Sequence, residues 1–96
     1  MISIKEATRN ASIFAVDALG QERVKDLRLE EVESATADGI DTWLITLSMQ
    51  KQIEPSDTFS EGMLAAFGPR RDYKIFAVRK DNGDVLSMKI RELANA

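Results

Sequence analysis

The stretch Asp41-Thr42-Trp43-Leu44-Ile45-Thr46-Leu47-Ser48-Met49 alternates with the two-residue period of an extended chain. Trp43, Ile45, Leu47 and Met49 fall on one side, and Thr42, Leu44, Thr46 and Ser48 on the other. This predicts a sheet strand with one dry face and places Trp43 at the centre of the core. Whatever else the chain forms must cover that face.

Ahead of this strand, Ser3 and Glu6 have capping-box spacing, which predicts a helix start. Ile4, Ala7, Ala11, Phe14, Ala15, Ala18 and Leu19 then recur at three- and four-residue spacing up to Gly20, a helix over about residues 3–19. Its apolar stripe is mostly alanine, which lets a helix lie close on a sheet with Phe14 as the anchor. Leu27, Leu29 and Val32 mark a strand over about 26–35, whose alternation slips at Glu30 and Glu31, as at a bulge or a peeling end. Asp38 and Gly39 turn this strand into the next, over 41–50.

The alternation then dissolves. Residues 50–69 carry Pro55, a short apolar group of Met63, Leu64 and Phe67, and a close at Gly68 and Pro69. That is long for a connector in a small domain, so the segment is read either as a plug for one end of the core or as a partner-binding lobe. Tyr73, Ile75 and Ala77 begin a second hairpin, with strands over about 71–79 and 85–92. The turn at Asn82 and Gly83 is a strong hairpin signal because both residues tolerate positive φ. The fold class that follows is α+β: a single domain over residues 1–96 with one N-terminal helix packed on a four-stranded antiparallel meander sheet.

Composition bounds the chemistry. A chain of 96 residues with 44% apolar and 30% charged side chains is a folded single domain rather than a disordered one. The 16 acidic and 13 basic residues leave a formal charge of -3, with no general attraction to nucleic acid or anionic membrane. Acids crowd between Asp17 and Asp41 and bases between Arg70 and Arg91, which predicts neutralisation between neighbouring strands. Cysteine and histidine are both absent. Disulfides, thiolate chemistry, the usual zinc sites and the commonest general base go with them, and no serine has a histidine to activate it. The expectation is a protein that is not an enzyme and needs no cofactor or metal. The opening MISIKEATRN lacks a basic start followed by an apolar run, and no stretch approaches the roughly 18 apolar residues of a membrane span. The chain therefore reads as cytoplasmic and without a membrane partner, although a secreted chain trimmed of its leader would read alike.

Three pieces together carry a family resemblance: ISIKEA at the first helix, the Asp38-Gly39 turn, and YKIFAV followed by NGDVLS between Tyr73 and Ser87. In this order they resemble the PepSY domain, a small module of a helix and an antiparallel sheet. The resemblance implies that fold and a role in binding or restraining a protease or other partner. Arg79 and Lys80 stand where that family has an Asp-containing approach to the last turn. Cystatins share the helix-on-sheet architecture, but their Gln-Val-Val-Ala-Gly wedge is absent here, so protease inhibition by that route is not implied.

Candidate sites are few. Asp81 to Asp84 lack the ligand spacing of a calcium loop and read as a turn. Glu31 and Glu33 share a strand face and, without a second acidic cluster, read as a solvated face. Two functional readings follow. The first is a protein-interaction module, inhibitory or regulatory, binding through an edge strand or the 50–69 segment with Met63, Leu64 and Phe67, and self-associating as a homodimer. The second is binding of a small anion or nucleic acid through Arg70, Arg71 and Lys74, with only Tyr73 as an aromatic neighbour. Nucleic acid is the less expected partner of the two.

Overall fold

A computed structural model describes residues 1–50 and 71–91. Its elements are α1 (Ile4–Leu19), β1 (Arg28–Ala37), β2 (Ile40–Gln50), β3 (Arg71–Arg79) and β4 (Val85–Arg91). The strands form one antiparallel sheet in the order β1-β2-β3-β4, with α1 on one face, so the α+β class read from the alternation is the one that forms.

The helix begins where the capping spacing placed it: the Ser3 hydroxyl accepts the Glu6 amide at 3.1 Å. Its buried stripe is narrower than the sequence suggested. Ala7, Ala11 and Ala15 are fully buried, whereas Ile4 and Ala18 are exposed. Three alanines one turn apart let the helix backbone approach β2 and β3 closely. Phe14 then meets Phe76 edge-on, with ring centroids 6.3 Å apart and planes at 79°.

Strand register explains where the core lies. Ile45 stands opposite Phe76 and Trp43 opposite Val78, so all four point at the helix. Ile45, Leu47, Phe76 and Val78 are buried and cluster with the three alanines. The expectation for Trp43 needs correction: it is half-buried and lies at the end of the sheet where α1 begins. Its indole Nε1 donates to the Ile2 carbonyl at 3.4 Å, and the Lys80 ammonium sits 4.2 Å from the ring centroid. The centre of the core is the Ile45–Phe76 pair.

The second face of β2 is also drier than alternation implies, since Thr42, Thr46 and Ser48 are buried. Each hydroxyl has a partner, as burial requires. Thr42 donates to the Ala35 carbonyl, Thr46 accepts from Arg91 and Ser48 accepts from Arg71.

The two connections between paired strands among the described residues both use positive φ. Asp38 (52°) and Gly39 (79°) form the two-residue loop between Ala37 and Ile40, the geometry that suits the twist of a hairpin. In the second hairpin only Gly83 is left-handed, at 81°. Asn82 acts instead through its side chain, whose Oδ1 accepts the Asp84 amide at 2.9 Å. Gly83 is buried beneath α1, where Asn10 Nδ2 donates to its carbonyl at 3.0 Å. A Cβ at this position would lie 2.6 Å from that nitrogen. Gly83→Ala therefore combines backbone strain with loss of the Asn10 bond, and is expected to cost about 1 to 3 kcal/mol by thermal melting.

Candidate interaction site

The face of the sheet opposite the helix is crossed by two arginines. Arg71 Nε donates to Ser48 Oγ at 2.8 Å, Nη2 to the Ser48 carbonyl at 3.1 Å, and Nη1 to Asp26 Oδ2 at 2.9 Å. Nη2 also donates to the Asp26 carbonyl. Asp26 is itself held at a φ of 52° and accepts from Arg28 as well. The Arg71 bond, more than any other contact, keeps the Asp26 carboxyl below its ordinary range. Arg91, on β4, reaches Glu31 on β1 and donates to Thr46 Oγ1 at 3.2 Å. The expected neutralisation of acids by bases thus occurs, but not between neighbouring strands: Arg71 on β3 pairs with Asp26 in the connector before β1, and Arg91 on β4 with Glu31 on β1.

Glu31, Glu33, Leu44, Thr46, Ile75 and Arg91 surround a hollow of about 130 Å³. The Glu31 and Glu33 carboxyls lie close enough to perturb each other, and their pKa values are driven apart. Arg91 and then Glu33 lower Glu31, while the neighbouring Glu31 carboxylate raises Glu33. Divergent carboxyls of this kind serve some enzymes as an acid and a base. A small-molecule site, however, has about 300 to 1,000 Å³, and this hollow admits only a few waters. The arrangement is a clamp that ties the two outer strands together across the sheet.

The signs of the two shifts oppose one another. Glu31, depressed in the fold, contributes stability above the ordinary carboxylate range, and this is lost as pH falls through its lowered value. Glu33, raised in the fold, contributes stability below its ordinary value, and this is lost as pH rises through its elevated one. A Glu33→Gln variant donates to Glu31 at every pH. Melting temperature measured against pH should then lose the decline expected of the wild type above the ordinary glutamate range.

The outer strands differ in how they meet solvent. On β1 the register shifts between Leu29 and Glu31, and this bulge bears Glu30 beside Glu31 and Glu33. Bulges and charges are the usual devices that stop an edge from pairing with another chain. On β4 the register shift lies at the extreme start, where Val85 and Leu86 both oppose the Val78 end of β3. The remainder, Leu86-Ser87-Met88-Lys89-Ile90-Arg91, holds two bases, of which Arg91 is engaged by Glu31, and no proline. Leu86 is 45% and Ile90 75% exposed, and Ile13 on the adjoining flank of α1 is 51% exposed. Between helix and strand runs an open groove of about 430 Å³, lined by Ile13, Phe14, Val85 and Leu86 with Asn10 and Asp17 at its margin. A second hollow of similar size, lined by Met1, Ile40, Arg79 and Lys80, has its charges already engaged. There Arg79 pairs with Asp81, and Lys80 contacts Ser34 and the Trp43 ring.

Of the residues singled out in the sequence, Met63, Leu64, Phe67 and Arg70 lie outside the described residues. Arg71 and Lys74 fall on opposite faces: Arg71 pairs with Gln50 and points to the clamp side, and Lys74 pairs with Leu47 on the helix side. The two do not converge on a common ligand. Open β4 was missed as a particular site because alternation marks a strand without marking its place in the sheet. Among the described residues no group of acids could hold a metal ion, and no helix is long and apolar enough to cross a membrane. Comparison of the chain with protein-family models, curated proteins and solved structures gives no match to any of them.

Proposed function

We propose that the protein is a non-enzymatic interaction module that binds an extended segment of a protein partner by strand addition along β4. The observation that carries this reading is the asymmetry of the two edges: β1 is bulged in its ladder and carries Glu30, Glu31 and Glu33, whereas β4, bulged only at its start, exposes Leu86 and Ile90 and has no second strand partner among the described residues. An added strand would satisfy the outward-facing amides and carbonyls of β4 while its alternate side chains covered Leu86, Ile90 and the groove beside Ile13. A regulatory or inhibitory role accords with the PepSY-like order of the elements. No metal or cofactor is needed for such binding.

Selection of random extended peptides against the wild-type chain tests the proposal, with Ile90→Lys as the control. Ile90 is so exposed that the lysine should change stability by less than about 0.5 kcal/mol. Enriched peptides with alternating apolar residues, which shift β4 amide resonances and fail on the variant, would support strand addition. Peptides that map to β1 or the clamp face, or no enrichment at all, would contradict it.

A further inference from the structure

We infer that the occupant of the β4 edge is a second copy of this chain, paired antiparallel about a two-fold axis at Met88. The inference rests on the strand-addition reading and names its partner. Two copies of one edge strand, side by side and antiparallel, are related by an axis perpendicular to the sheet. Both helices then lie on the same face, and the register must be centred on a residue rather than between two.

Three centres are available within the open stretch. Centring on Lys89 sets that lysine opposite itself, a like-charge pair that destabilises a ladder. Centring on Ser87 pairs Leu86 with Met88 but, because the ladder ends at Leu86, leaves Ile90, the most exposed apolar side chain of the strand, without a partner. Centring on Met88 sets Met88 against Met88, Leu86 against Ile90, and Ser87 against Lys89. Every apolar residue on the helix side then meets an apolar one, and no like charges are opposed. Strand β4 is therefore its own complement over the whole 86–90 stretch in this register alone. Arg91, the other base on this strand, is neutralised within its own copy by Glu31. In the paired form Ile13 of each copy would flank the new apolar strip. The bulge at Val85 and Leu86 limits the ladder to the residues 86–90. So short a ladder predicts a dissociable dimer in the micromolar to millimolar range rather than an obligate one.

Sedimentation of the full chain over that concentration range tests the inference, together with cysteine scanning of β4. Only position 88 faces its own counterpart, at a Cβ separation of about 4.5 to 5.5 Å. Met88→Cys should oxidise readily to a covalent dimer, while Ser87→Cys and Lys89→Cys alone should not. Wild type should dimerise with rising concentration, and Ile90→Lys should stay monomeric with an unchanged melt. Isotope-filtered contacts between Leu86 of one copy and Ile90 of the other keep the register testable if Met88→Cys fails to fold. A wild type that stays monomeric, or dimer contacts that map to β1, would overturn self-pairing. If edge peptides still bind such a monomer, the strand-addition reading stands with a different partner. If neither peptides nor a second copy bind β4, both readings fall.

Discussion

Replacing Phe76 with alanine is expected to lower the unfolding free energy by about 3 to 5 kcal/mol. Phe76 is fully buried, stands opposite Ile45 in the ladder and packs edge-on against Phe14. Its loss leaves a cavity between sheet and helix that three small alanines cannot fill by moving inward. A domain of this size has only about 5 to 15 kcal/mol to lose. Urea denaturation should show a large fall in midpoint with little change in slope. Trp43→Ala should cost less, despite removing the larger ring, because Trp43 is only half-buried at the end of the sheet. The reverse order of the two effects would place the centre of the core at Trp43.

Enlarging Ala11 should be nearly as damaging. Ala11 is fully buried in the middle of the stripe formed by Ala7, Ala11 and Ala15, and nothing in that seam is a flexible surface side chain. Leucine there cannot fit without lifting the helix from β2 and β3, and overpacking of this kind typically costs about 1 to 3 kcal/mol or more. Lifting the helix also uncovers Ile45 and Phe76, so Ala11→Leu should lower the melting temperature and increase binding of a hydrophobic dye. Ile13→Leu, one residue pair away on the exposed flank, should leave both nearly unchanged.

The sheet was largely legible because period-two alternation and turn chemistry are local. The strand around Ile45, the bulge at Glu30 and the Asp38-Gly39 hairpin all follow from residues near one another in the chain. Depth was not legible. Alternation assigns Trp43 and Ile45 to the same face but says nothing of how far along the strand the helix lies, and the helix leaves Trp43 at the rim. Burial of Thr46 and Ser48 was hidden for a related reason: Arg91 and Arg71, both remote in sequence, fold over that part of the face. The charge reversal along the chain hinted at such pairs, but reach across a twisted sheet depends on three-dimensional curvature, not on neighbouring strands alone. The open edge emerged only from strand order. An alternating stretch with few charges suits a covered central strand as well as an exposed outer one, and β4 became a candidate once β3 was its only partner among the described residues.

Amide hydrogen exchange, followed residue by residue as the concentration of the full chain is raised, tests the assignment of binding to β4 most directly. The expected result is protection that grows with concentration at residues 86–90, while the amides of β1 exchange at a constant rate. Protection that grows on β1 instead, or a β4 edge that stays equally open at every concentration, would contradict it.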